Sequence, residues 1–139
     1  MVTWEETCQH LRQRFKLAIE EPTWIGLVWR FADAGDQPER QRVELVDAFG
    51  RPFLLILSDA GPEGAGSYRD ALLRNMKMTI GAVALEPSGF VVRHLMPLDE
   101  VTWPGLDLAI EVVAREASML RGRSAAPLGC DNLFRAYSM

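Results

Sequence analysis

TWIGLVWRFADAGDQPERQRVELVDAFGRPFLLILS, residues 23–58, decides the fold. Its first run, Trp24 to Phe31 (WIGLVWRF), is dense in aromatic and branched residues, which pack well on a pleated strand. Asp33 to Glu39 (DAGDQPE) is polar and rich in turn formers. From Gln41 to Asp47 the chain alternates, with Val43 and Leu45 on one side and Arg42 and Glu44 on the other. Ala48 to Pro52 (AFGRP) is a short connection, and Phe53 to Ser58 (FLLILS) is a third strand. Three runs joined by short links form an antiparallel meander.

Working outward, the N-terminal side reads as a helix. Thr3 and Glu6 stand at capping-box spacing, where each side chain satisfies a free backbone N–H. Trp4, Cys8, Leu11 and Phe15 then make one apolar stripe, with Gln9, Arg12, Gln13 and Lys16 on the other face. Pro22 ends the segment, because the residue before a proline avoids helical backbone.

On the C-terminal side, Asp59 to Gly66 (DAGPEGAG) is too rich in glycine and proline for regular structure. Ser67 is placed to cap a short second helix that ends near Met78. Ile80 to Leu85 (IGAVAL) and Phe90 to Met96 (FVVRHLM) flank the tight turn Glu86 to Gly89 as a hairpin. A third helix carries Leu106, Ala109, Ile110, Val113, Ala117 and Leu120 on one face, with Asp107 on the polar side and Gly122 as its stop. The order is α-β-β-β-α-β-β-α. Hairpin links make this an α+β fold with a mainly antiparallel five-stranded sheet and helices packed on it. Residues 1–122 form one domain, and 123–139 are a tail with scattered apolar residues (Leu128, Leu133, Phe134, Tyr137).

Composition narrows the function. The chain has 139 residues, 48% apolar and 24% charged, within the ordinary globular range. No apolar run approaches the roughly 20 residues that cross a bilayer, and the polar start Met1 to Glu6 does not read as an export signal, so a cytoplasmic location is expected. The net charge of −4, with no cluster of Lys and Arg, argues against a nucleic-acid partner. Cys8 and Cys130 belong to no CxxC pair and are expected as free thiols.

The residue types that carry catalysis are sparse. His10 lies two positions from Cys8 on a helix, where side chains diverge and form no dyad. His94 shares a strand face with Phe90, Val92 and Met96 and reads as structural. The acid pairs Glu5-Glu6, Glu20-Glu21 and Asp99-Glu100 sit at helix starts and turns, where carboxylates meet the helix dipole or water. The glycine-rich loop lacks both the GxGxxG spacing and the Gly-Lys-Ser/Thr ending of phosphate cradles. Metal-ligand spacing is missing as well. No catalytic residue, metal or cofactor is expected, and the chain reads as no enzyme.

The apolar surplus is more informative. A sheet covered on one side alternates apolar and polar residues, yet Phe53, Leu55 and Leu57 oppose Leu54 and Ile56. In the first strand Ile25, Leu27, Trp29 and Phe31 share one face and Trp24 and Val28 the other. Either helix 2 and the tail cover the second face, or it meets a second copy or a peptide. For partner binding the candidates are Trp24 and Val28, or Trp29 and Phe31 if that face points outward. For a dimer interface they are Leu72, Leu73, Met76 and Met78 on and after the second helix.

The stretch Leu72 to Leu98 (LLRNMKMTIGAVALEPSGFVVRHLMPL), together with the element order, resembles the class I type III secretion chaperones and their wider CesT/YbjN-like relatives. The likeness lies in a helix end, the small-residue strand GAVAL, a turn, an apolar strand and the closing LMPL. It covers about the first 120 residues and leaves the tail outside. It implies a homodimer that holds a segment of a secreted protein in a non-globular state without ATP, with no catalytic residues. It also points to the first helix and the neighbouring meander as the site. The other reading is a regulatory or adaptor module of the same fold, bound to a folded partner outside any secretion system.

Overall fold

Thr3 caps the first helix, α1 (Trp4–Arg14): its hydroxyl accepts from the Glu6 N–H while the Glu6 carboxylate accepts from the Thr3 N–H. This is the capping box expected from the sequence. The computed structural model describes residues 1–31, 38–62 and 68–121. The helix stops at Phe15, which is extended (φ −131°, ψ 161°), well before Pro22. Leu17–Glu20 then forms β1, so the sheet has six strands where five were expected. Pro22 sits instead in the turn to β2, where the Trp4 indole N–H donates to its carbonyl at 2.9 Å.

The meander follows as β2 (Trp24–Trp29), β3 (Glu39–Ala48) and β4 (Arg51–Gly61), each antiparallel to the last. The first residues of the expected glycine-rich loop, Asp59 to Gly61, extend β4 and pair with β6 through a bulge. Helix α2 (Tyr68–Asn75) is one turn shorter than expected. β5 (Ala82–Glu86) and β6 (Gly89–Pro97) form the hairpin, a single 3₁₀ turn spans Leu98–Glu100, and α3 runs Trp103–Leu120. The strand order is β1-β2-β3-β4-β6-β5. Ser67, Gly122, Cys130 and the tail 123–139 lie outside the described residues, as does most of the turn 33–39.

Helices α1 and α3 cover one face of the sheet. Ile25, Leu27, Val43, Leu54, Ile56 and Val92 point into that layer against Leu11, Leu106, Ile110 and Val113. At roughly 1.5–3 kcal/mol for each fully buried large aliphatic side chain, this layer is the main source of stability. Most of its polar members are bonded, the buried Ser58 hydroxyl being an exception. The Trp29 indole donates to Gln41 Oε1 at 2.7 Å, and Gln41 Nε2 donates to the Ile110 carbonyl at 2.9 Å, which ties β2, β3 and α3 together. His10 meets Asp107 at 2.6 Å between α1 and α3. The sequence reading put Asp107 on the polar side of its helix; it is 3% exposed, because α1 brings a histidine to it.

Helix α2 lies at the β5 edge, and none of its residues is buried. The Asn75 side chain completes that edge by accepting from the Val83 N–H at 2.6 Å and donating to the Val83 carbonyl at 3.1 Å. Arg74 Nη2 adds an ion pair to Glu116 on α3 at 2.6 Å.

Candidate protein-binding site

The second face of the sheet is built by the alternate residues of the same strands. Along β4, Leu54 and Ile56 are fully enclosed under the helices, whereas Phe53, Leu55 and Leu57 point the other way and stay half-exposed. The two-sided apolar character of this strand is therefore real. Leu95 of the neighbouring strand is half-exposed on that second face as well, whereas Val91 further along it is fully buried.

Register arranges it into rungs. Trp24, Glu44, Leu55 and Leu95 form one, and Val46, Phe53 and Pro97 the next towards the β3–β4 turn. On the other side, Gly26, Arg42, Leu57, Arg93 and Ala82 form a third. Gly26 stands mid-strand for a local reason: a Cβ there would lie 2.8 Å from Ile19 Cγ2 and 3.4 Å from the Trp24 ring. Ile19 on β1 thus folds over the glycine, beside Trp24. The Arg42 guanidinium stacks on Trp24 at 4.0 Å from the ring centroid, a cation–π contact that holds both side chains flat on the sheet. A groove of about 340 Å³ runs across this region, lined by Ile19, Trp24, Arg42, Leu57, Asp59 and Glu86.

The sequence-predicted residues separate cleanly. Trp24 and Val28 lie half-buried on the open face. Trp29 and Phe31 are each 1% exposed and belong to the core, where Trp29 contacts Phe15 and Phe31. They are not surface anchors, because α1 and α3 cover them. Leu72 (67% exposed) and Met76 (83%) stand out from α2 and its end, Leu73 is exposed as well, and Met78 is half-buried against the core. Tyr68 and Leu85 extend this second patch along the β5 edge. Sequence reasoning missed Ile19, Arg42 and Arg93 on the open face; only strand pairing shows that the two arginines share a rung.

The titratable side chains do structural work. Gly81 N–H donates to His94 Nδ1 at 3.1 Å, and burial pushes the His94 pKa below its ordinary value. Burial pushes the Cys8 thiol above its ordinary value. His10 stacks on Trp103 at 4.4 Å, and among the described residues no hydroxyl or thiol hydrogen-bonds to its ring. No group of three or more His, Cys, Asp or Glu placed to hold a metal occurs among the described residues. Nor is any described helix long and apolar enough to cross a membrane.

No protein-family model matches the chain, and no curated protein does. Among solved structures, a chain of the HopA1–SchA chaperone–effector complex superposes with a TM-score of 0.58, over 82% of this chain and 88% of that one, at 12% identity. The fold is chaperone-like. At this identity the likeness concerns the fold, and it agrees with the resemblance to the type III secretion chaperones read from Leu72 to Leu98.

Proposed function

We propose that this chain is a chaperone-like binding module that holds an extended segment of another protein on the open face of its sheet and works as a homodimer. The observation that carries the reading is the outward row Phe53, Leu55 and Leu57 of β4, apolar and half-exposed. Exposed apolar area of this kind marks interaction surfaces on folded domains. The fold likeness supports the reading, because the structure it matches is a complex of a chaperone with an effector. Export of that partner through a secretion system belongs to the same proposal. Dimerisation is assigned to α2 and the β5 edge, where Leu72, Leu73 and Met76 protrude, with Met78 supporting them from beneath.

The test is capture of a partner by the intact chain in its native cells, followed by Leu55→Asp with Leu57→Asp. The partner should be released by the variant, and hydrogen exchange should show its bound segment lacking a folded core. A double variant that keeps its helical and strand signal and still holds the partner would overturn the reading.

A further inference from the structure

We infer that the open face selects a segment carrying an Asp or Glu, read by Arg42 and Arg93 from either side of Leu57; this rests on the binding reading above. Register places the three residues on one rung, Arg42 opposite Leu57 and Leu57 opposite Arg93. Neighbouring strands lie about 4.8 Å apart, so the two arginines are rooted roughly 10 Å from each other with a half-exposed leucine between them. The rung's other members, Gly26 and Ala82, carry no charge.

Two like charges on one rung of an apolar face are unfavourable unless an anion joins them. The chain itself supplies little. Arg42 reaches Glu44 only at 3.6 Å, with its side chain 42% exposed, a pairing that contributes little in water. Arg93 is exposed and makes no ion pair among the described residues. Asp59, two residues along β4 from Leu57 and on the same face, stands on the next rung opposite Val91 and makes no ion pair with either arginine among the described residues. Arg93 is also the one charge in the strand FVVRHLM, with the half-buried Leu95 and the fully buried Val91 beside it on that face. On a chain of net charge −4, two arginines facing one apolar strip form a local positive site.

An extended segment laid along β4 would set aliphatic side chains on Leu55, Leu57 and Leu95, and a carboxylate among them would meet Arg93 directly and draw the Arg42 guanidinium over from its stacking on Trp24. Guanidinium–carboxylate hydrogen bonds are directional and strengthen as water leaves the face. The arginines thus provide specificity, while the leucines provide contact area.

The experiment selects a random-peptide phage library on the immobilised full chain, then synthesises the enriched peptide with its acidic residue as found and as the amide. Enriched peptides should alternate apolar residues around one Asp or Glu. The amide version should bind about tenfold more weakly, the size of one charge-assisted hydrogen bond. On a folded Arg42→Gln, Arg93→Gln double variant the two versions should bind alike. Apolar peptides with no acidic position, or equal binding of acid and amide to the native chain, would overturn the arginine assignment and leave the open-face reading standing. Failure to enrich any peptide, or binding that survives Leu55→Asp with Leu57→Asp, would overturn both.

Discussion

His10 on α1 and Asp107 on α3, 97 positions apart in the chain, meet at 2.6 Å in a buried pair roofed by the Trp103 indole. The second carboxylate oxygen of Asp107 faces Arg14 Nε at 4.0 Å. The pair joins the two long helices of the covered face, so it ties α1 to α3 across the sheet. Asp107→Ala leaves a buried imidazole without its acceptor and should destabilise the chain by about 2–4 kcal/mol in denaturant unfolding. Asp107→Asn keeps an acceptor and should lose less. Leu108→Ala, one residue along and exposed, should change stability by no more than about 0.5 kcal/mol. An Asp107→Ala loss as small as that of Leu108→Ala would show that the pair does not hold the helices together.

The apolar side of the same layer makes a second prediction. Leu11 and Ile110 are fully enclosed, one on each helix. Truncation to alanine removes buried methyl groups and leaves a cavity, so each should cost about 2–5 kcal/mol. Chemical denaturation of the two single variants checks this.

Most of the fold was legible because its elements carry strong local patterns: the Thr3–Glu6 box, the stripes on α1 and α3, and the alternation of β3. β1 was not, since Leu-Ala-Ile-Glu suits a helix as well as a strand; it becomes a strand because Phe15 leaves the helix and the Val28 N–H donates to the Lys16 carbonyl. The two faces of β2 were also legible as sets, Trp24 with Val28 and Trp29 with Phe31. Which set points inward depends on Gln41 bridging Trp29 to α3, a contact between residues distant in sequence. Asp107 was misplaced for the same reason: helical periodicity describes one helix, and its partner arrives from another.

His94 provides a pH prediction. Its Nδ1 accepts the Gly81 N–H, a role that only the neutral ring can fill, and burial lowers its pKa below the ordinary 6.5. The unfolded chain therefore binds a proton more readily than the folded one, and stability rises with pH over that range. Stability should be lost as pH falls from about 6.5 towards the lower folded value, and His94→Gln should flatten that part of the profile. An NMR titration placing the His94 midpoint at or above 6.5 would contradict the assignment.

The β3–β4 turn holds Phe49 at φ 54° followed by Gly50 at φ 74°, with the Phe49 ring 94% exposed. A left-handed residue in this turn suits asparagine or glycine, and phenylalanine pays a steric penalty there. Its ring gains only an edge contact with Phe53, at 6.4 Å between centroids. Phe49→Asn should therefore stabilise the chain by about 0.5–1 kcal/mol, read as a raised unfolding midpoint. A loss of that size would mean that the Phe49–Phe53 contact outweighs the strain.

The last prediction concerns how two copies would meet. A free β5 edge would invite strand-to-strand pairing, but Asn75 already occupies the N–H and carbonyl of Val83 on that edge. A dimer built here must therefore rest on side chains, chiefly Leu72, Leu73 and Met76, with Tyr68 and Leu85 beside them. Light scattering at micromolar concentration should give twice the chain mass for the native protein and the single mass for Leu72→Asp with Met76→Asp. None of the α2 residues is buried within the chain, so this double variant should keep its fold. Asn75→Ala should behave differently: it leaves the α2 patch intact, uncovers the β5 edge, and should add species larger than a dimer. A native chain that scatters as a monomer would remove the dimer from the proposal. A dimer untouched by Leu72→Asp with Met76→Asp would move its interface away from α2.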